Sequence, residues 1–137
     1  MATIRLKHGM GFFILLILLF VQSCEKTEKE PGYLAGYITI GPLCPVQKVP
    51  PDPGCMPTAE TYLAYPVSVY STDGDDRIAK LTPALNGAYY SELLPGKYML
   101  VLDKSVDYIG SCNLPARISI TSSDTTYYNV NIDTGIR

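Results

Sequence analysis

Through most of the chain after residue 32, apolar and polar residues alternate with a period of two over short stretches. That period marks strands with one buried face. The clearest stretch is 86–100. Asn86-Gly87 opens it with two residues that tolerate positive φ, so the chain can reverse there. Tyr89, Ser91 and Leu93 then share one face, and Tyr90 and Glu92 the other. Pro95-Gly96 imposes a second reversal, after which Tyr98, Leu100 and Leu102 resume the alternation. The pattern predicts a hairpin in the middle of a β-sandwich.

Five further strands read the same way. Residues 33–40 turn Ile38 and Ile40 inward and Tyr37 and Thr39 outward, and residues 65–71 turn Val67 and Val69 inward. Residues 77–81 form a weaker strand near an edge, where Lys80 discourages pairing with other chains. Residues 116–120 bury Ile118 and Ile120, and residues 125–132 bury Tyr128, Val130 and Ile132. An excursion over 41–57 holds Pro42, Pro45, Pro50, Pro51, Pro53 and Pro57, so it is no internal strand. One helical turn over 58–63 follows Pro57, and 103–115 reads as loop. About seven short strands with turns between them indicate an all-β sandwich. Its expected core is Val67, Val69, Tyr89, Leu93, Tyr98, Leu100, Ile118, Val130 and Ile132, with Tyr98 as a tyrosine corner. Met99 and Val101 are apolar on the face opposite Leu100. Their strand is therefore either covered on both sides, for which the proline-rich excursion is long enough, or part of a contact surface.

Residues 1–23 differ from the rest. Arg5 and Lys7 make a basic start, and no charge interrupts 9–24. The apolar run is short for a membrane span, which needs about 20 residues, and fits a signal peptide. It ends in Val21-Gln22-Ser23-Cys24, which resembles the bacterial lipobox and implies acylation of Cys24. Two or more acyl chains hold a protein stably at a membrane. Residues 24–32 form a charged tether. The acidic stretch after Cys24 resembles the export signal of Bacteroidetes-type surface lipoproteins. The expected location is a bacterial outer membrane, at the cell surface or on the periplasmic face.

The central stretch carries a second resemblance. Gly87, Tyr89, Leu93, Pro95, Gly96 and Tyr98 are spaced as in carboxypeptidase-regulatory-like, or transthyretin-like (prealbumin-like), domains. Residues 40–46 and 133–137 resemble a subgroup of small secreted bacterial members. The likeness spans 33–137 and implies a Greek-key sandwich, prealbumin-like or immunoglobulin-like, in a family whose members mostly lack an assigned activity. The subgroup often carries a cysteine pair that here would be Cys44–Cys55, leaving Cys112 free. On the residues alone, three cysteines after Cys24 leave Cys44–Cys112 and Cys55–Cys112 open.

Chemistry is sparse. The single histidine, His8, lies in the signal region, so the domain holds no Ser-His-Asp or Cys-His set and lacks the commonest zinc ligand. No G-x-S-x-G elbow, P-loop or G-x-G-x-x-G occurs. Asp73, Asp75 and Asp76 read as turn residues rather than calcium ligands. No enzyme activity, cofactor or metal is expected. Without Arg5 and Lys7, nine basic residues face 13 acidic ones, a net charge near −4 that argues against nucleic acid. All three phenylalanines lie in the signal region and there is no tryptophan, so tyrosine is the domain's only aromatic. Alternation turns Tyr37, Tyr70, Tyr90 and Tyr127 outward on four strands. These are ordinary solvent-face residues, or, if adjacent, a binding surface. The expected function is a lipid-anchored envelope domain with structural or protein-contact roles. The alternative is a small-molecule or glycan-binding module.

Overall fold

A computed structural model describes residues 29–46, 48–103 and 110–137. The expected signal peptide, Cys24 and the first residues of the expected tether lie outside the described residues. Strand β1 (Gly32–Gly41) is followed by a 3₁₀ turn (Pro53–Cys55) and a short helix α1 (Ala59–Ala64). Then come β2 (Val67–Ser71), β3 (Arg77–Lys80), β4 (Ala88–Leu93), β5 (Gly96–Leu102), β6 (Ser111–Cys112), β7 (Ala116–Ile120), β8 (Thr125–Tyr127) and β9 (Val130–Asp133). They form a two-sheet β-sandwich. One sheet has the order β4-β1-β9-β6, with β8 also on β1, and the other β3-β2-β5-β7. Among the described residues no helix is long and apolar enough to cross a membrane.

The core is what the alternation predicts. Val67, Val69, Tyr89, Leu93, Leu100, Ile118, Val130 and Ile132 are buried, together with Leu34, Ile38, Ile40 and Ile120. Tyr98 is half-buried rather than enclosed, because its hydroxyl reaches back to donate to the Leu94 carbonyl at 2.7 Å. It thereby closes the expected corner.

The predicted hairpin is not one. β4 pairs with β1, while β5 pairs with β2 and β7. Pro95-Gly96 is a corner at which the chain changes sheets, and β4 is an edge strand. The predicted strand 125–132 is interrupted at Tyr128-Asn129. Both its halves, β8 and β9, run parallel to β1. The interruption is fitted to Gly36: a Cβ there would stand 2.0 Å from the Tyr128 carbonyl oxygen. The Asn129 side chain takes the place of a ladder carbonyl, its Oδ1 accepting from the Tyr37 amide at 3.0 Å. The expected loop 103–115 contains the two-residue strand β6, paired with β9.

The proline-rich excursion carries the 3₁₀ turn. It leads into α1, capped by Thr58 and Thr61, which places Tyr62 in the core with its hydroxyl on the Leu85 carbonyl. Gly87, at φ +83°, passes close beneath, its would-be Cβ 2.4 Å from the Ile38 carbonyl oxygen. Only glycine fits that turn. Glu30 and Pro31, which belong to the expected tether, are held against the domain. The Ser123 amide donates to the Pro31 carbonyl at 2.9 Å, and Ser122 Oγ to the Glu30 carbonyl at 3.0 Å.

Candidate functional site

Because Leu34, Ile38 and Ile40 point into the sandwich, β1 turns Tyr33, Ala35 and Tyr37 to solvent. β4 likewise turns out Ala88, Tyr90 and Glu92, since Tyr89 and Leu93 are buried. The register aligns these residues in rows. Tyr90 and Tyr127 both stand opposite Ala35, Glu92 and Thr125 opposite Tyr33, and Ala88 opposite Tyr37. Tyr90 and Tyr127 are thus two strand spacings apart, about 10 Å, with only the Ala35 methyl between them. Tyr33 stacks on Tyr90 at 5.2 Å between ring centroids and 22° between planes. Tyr37, Tyr90 and Tyr127 expose 54, 64 and 77% of their surface, so the rings stand on the sheet rather than in it. Desolvation by its neighbours, and the proximity of Tyr33, Glu92 and Tyr127, push the Tyr90 phenol pKa upward.

The floor beneath this face is braced from inside. Tyr89 Oη donates to the Tyr128 carbonyl across the interruption between β8 and β9. Burial of that ring pushes its phenol up to about 12.

Three of the four outward tyrosines therefore share one face, and Tyr33 joins them. Its parity with Tyr37 on β1 was the available signal. Tyr70 does not belong. It lies on β2 in the other sheet, half-buried, with its hydroxyl donating to Asp103 Oδ1 at 2.9 Å. That bond, followed by desolvation, raises its pKa. Ser68 Oγ donates to the other oxygen of the same carboxylate.

Cys44 and Cys55 are bonded, with Cα atoms 5.6 Å apart, and Cys112 is a half-buried free thiol. Segments 40–46 and 133–137 meet. Gly41 stands opposite Asp133, and the Thr134 amide and hydroxyl donate to the Gly41 and Pro42 carbonyls. Arg137 pairs with Asp133 at 2.8 Å. Its guanidinium, then the Gly135 amide, hold the Asp133 carboxyl down at about 2. Among the described residues no cluster of three or more His, Cys, Asp or Glu side chains is placed to hold a metal ion.

The architecture is that of an all-β sandwich with one aromatic outer face. No protein-family model matches the chain, and no curated protein matches it. Among solved structures, the chain is similar to a DUF3823 family protein from Parabacteroides merdae (17% identity, TM-score 0.45, covering 77% of this chain and 47% of that one). It is also similar to GBS52, the minor pilin of Streptococcus agalactiae (14% identity, TM-score 0.48, 76% and 44%). A third is a DUF3823 family protein from Bacteroides ovatus (15% identity, TM-score 0.42, 73% and 44%). The chain spans less than half the length of each of these three.

Proposed function

We propose that this chain is a non-enzymatic, lipid-anchored sandwich domain of the bacterial cell envelope, of the carboxypeptidase-regulatory-like type. It contacts an envelope protein through the outer face of its β4-β1-β8 sheet. The observation that carries this reading is the row Tyr90–Ala35–Tyr127, with Tyr33 stacked on Tyr90 and Tyr37 beside it. Tyrosine gives large, rigid contact area with a polar tip, and is enriched where interfaces concentrate their affinity. The anchor is Cys24, whose acyl chains would hold the domain at the outer membrane, on the surface or periplasmic side. The lack of any histidine after His8 supports a role without catalysis, and the net negative charge supports partners other than nucleic acid.

The exposed tyrosines on either side of Ala35 favour a glycan as the second reading. Exposed aromatic rings suit the apolar face of a sugar ring.

A photo-crosslinking residue placed at Tyr127 in the full chain, in living cells, tests the first reading. A discrete protein adduct is expected there, and none from the same residue at Lys97, which is exposed on the other sheet. Tyr90→Ala should weaken the adduct. Equal labelling from both positions, or none from either, would overturn the protein-contact reading. Saturable quenching of tyrosine fluorescence by oligosaccharides, lost in Tyr90→Ala, would decide for the glycan.

A further inference from the structure

Among the described residues five strands stand at sheet edges, and four are protected, β8 being only three residues long. β6 is only two residues long. β3 carries Arg77 and Lys80 and faces a register shift at Val69/Tyr70. β7 carries Arg117 and is tied to β8, Thr126 Oγ1 donating to the Ser119 carbonyl at 2.9 Å. Short length, cations and irregularity are the usual devices against edge-to-edge pairing. β4 has none of them. Its six residues, Ala88–Leu93, contain no lysine, arginine or proline, and its pairing with β1 runs without a shift.

The unpaired groups on this edge can be named. The Ile38 amide donates to the Gly87 carbonyl, while the Tyr33 and Tyr37 amides donate away from β4, to Asp124 and Asn129. In an antiparallel ladder the hydrogen-bonded pairs alternate. The backbone groups of Tyr89, Ser91 and Leu93 therefore face β1, and those of Ala88, Tyr90 and Glu92 face outward. Ala88 is already satisfied, its amide by Asn86 Oδ1 at 3.0 Å and its carbonyl by the Ala84 amide at 2.8 Å. Among the described residues, the amides and carbonyls of Tyr90 and Glu92 have no hydrogen-bond partner.

We infer that this edge is a site for a second copy of the same chain, pairing β4 with β4 antiparallel about a two-fold axis through Ser91. The register follows from the free groups. With Ser91 opposite Ser91, Tyr90 of each copy faces Glu92 of the other, and every outward amide and carbonyl finds a partner. Centring on Tyr90 or Glu92 instead would waste half of them, the former also placing Glu92 against the satisfied Ala88. Centring on Glu92 would set two carboxylates face to face, which is destabilising. The Ser91 register sets each carboxylate beside a tyrosine ring. The turn 84–87 at one end and Pro95, which has no amide, at the other stop the ladder from slipping. The two tyrosine faces then become one continuous face. This inference stands on the β4 edge alone and does not depend on what the tyrosine face binds.

Cysteine crosslinking of the full chain in detergent tests it, in a Cys112→Ser background that serves as the baseline. Ser91 would face its own copy in a non-hydrogen-bonded pair, where the Cβ atoms come closest. Ser91→Cys should therefore give a disulfide dimer on mild oxidation, and Tyr90→Cys, two residues out of register with itself, should not. Adding Glu92→Pro to Ser91→Cys should abolish the dimer, because the amide it removes is used only between copies. Its thermal midpoint should stay close to the parent's. Should Glu92→Pro unfold the protein, hydrogen exchange on the unmodified chain decides instead. The Tyr90 and Glu92 amides should gain protection as protein concentration rises, and unchanged exchange would count against the inference. No dimer from Ser91→Cys, equal dimer from Tyr90→Cys, or a dimer that survives Glu92→Pro in a folded protein would each overturn it.

Discussion

Replacing Leu100 with alanine tests the sandwich at its centre. Leu100 is 0% exposed on β5, between Val69 of β2 and Ala116 of β7, in the same core as Leu34 and Val130. The change removes about three carbons, worth roughly 0.8 kcal/mol each, or about 2.4 kcal/mol of transfer free energy. Strands on both sides keep the site from collapsing. A residual cavity of ~40 Å³ adds about 1 kcal/mol at roughly 24 cal/mol per Å³. A loss of about 3.5 kcal/mol follows. With a urea slope of about 1.5–2 kcal/mol/M, the unfolding midpoint should fall by about 2 M. The control is Met99→Ala. Met99 is half-buried on the opposite face of the same strand and should cost ~1 kcal/mol. An unchanged midpoint for Leu100→Ala, or equal shifts for the two variants, would show that the strand's faces are assigned the wrong way round.

Cys24→Ser should move the full chain from the membrane to the soluble fraction, and membrane association that survives the change would refute the proposed anchor. Replacing Cys44 and Cys55 together by serine should lower stability by about 3 kcal/mol, from the loop of 11 residues' separation that the bond closes. A denaturation midpoint equal to the parent's would contradict that. Tyr89, whose folded pKa is pushed above 10.0 to about 12, binds its proton more tightly in the folded state. Its contribution is full below pH ~10 and lost as pH rises through about 12, so alkaline unfolding should shift upward in Tyr89→Phe. Asp133 shifts the other way. Its folded pKa of about 2 lies below the ordinary aspartate value of 3.8, so its contribution holds above pH ~4 and disappears as pH falls through about 2. Carboxyl chemical shifts followed by NMR should report that low pKa, and Arg137→Ala should raise it.

Faces were legible in the sequence because a period of two fixes which residues point inward, whatever the neighbouring strand is. That is why Val67, Leu100 and Ile132 were placed correctly. Partners were not legible. Pro95-Gly96 reverses the chain equally well as a hairpin turn or as a corner between sheets. What makes it a corner is the long-range pairing of β4 with β1 and β5 with β2, which no local signal carries. Tyr70 was grouped with Tyr37, Tyr90 and Tyr127 for the same reason: parity tells face, and not sheet. The break at Tyr128-Asn129 was invisible because its cause, the room above Gly36, lies some ninety residues away in the sequence.

The parallel run of β8 and β9 along β1 has a mechanical consequence. Gly32 and Asp133 sit at opposite ends of a strand ten residues long, because β9 meets β1 only at Ile38–Gly41. A force that separates those two points pulls along the strands. It loads the β1–β8 and β1–β9 hydrogen bonds in shear, so they must yield together instead of unzipping one at a time. Resistance to such a pull is set by the unfolding rate rather than by equilibrium stability. The geometry makes the domain resist a pull applied between its first strand and its last far better than one that peels a single edge strand away.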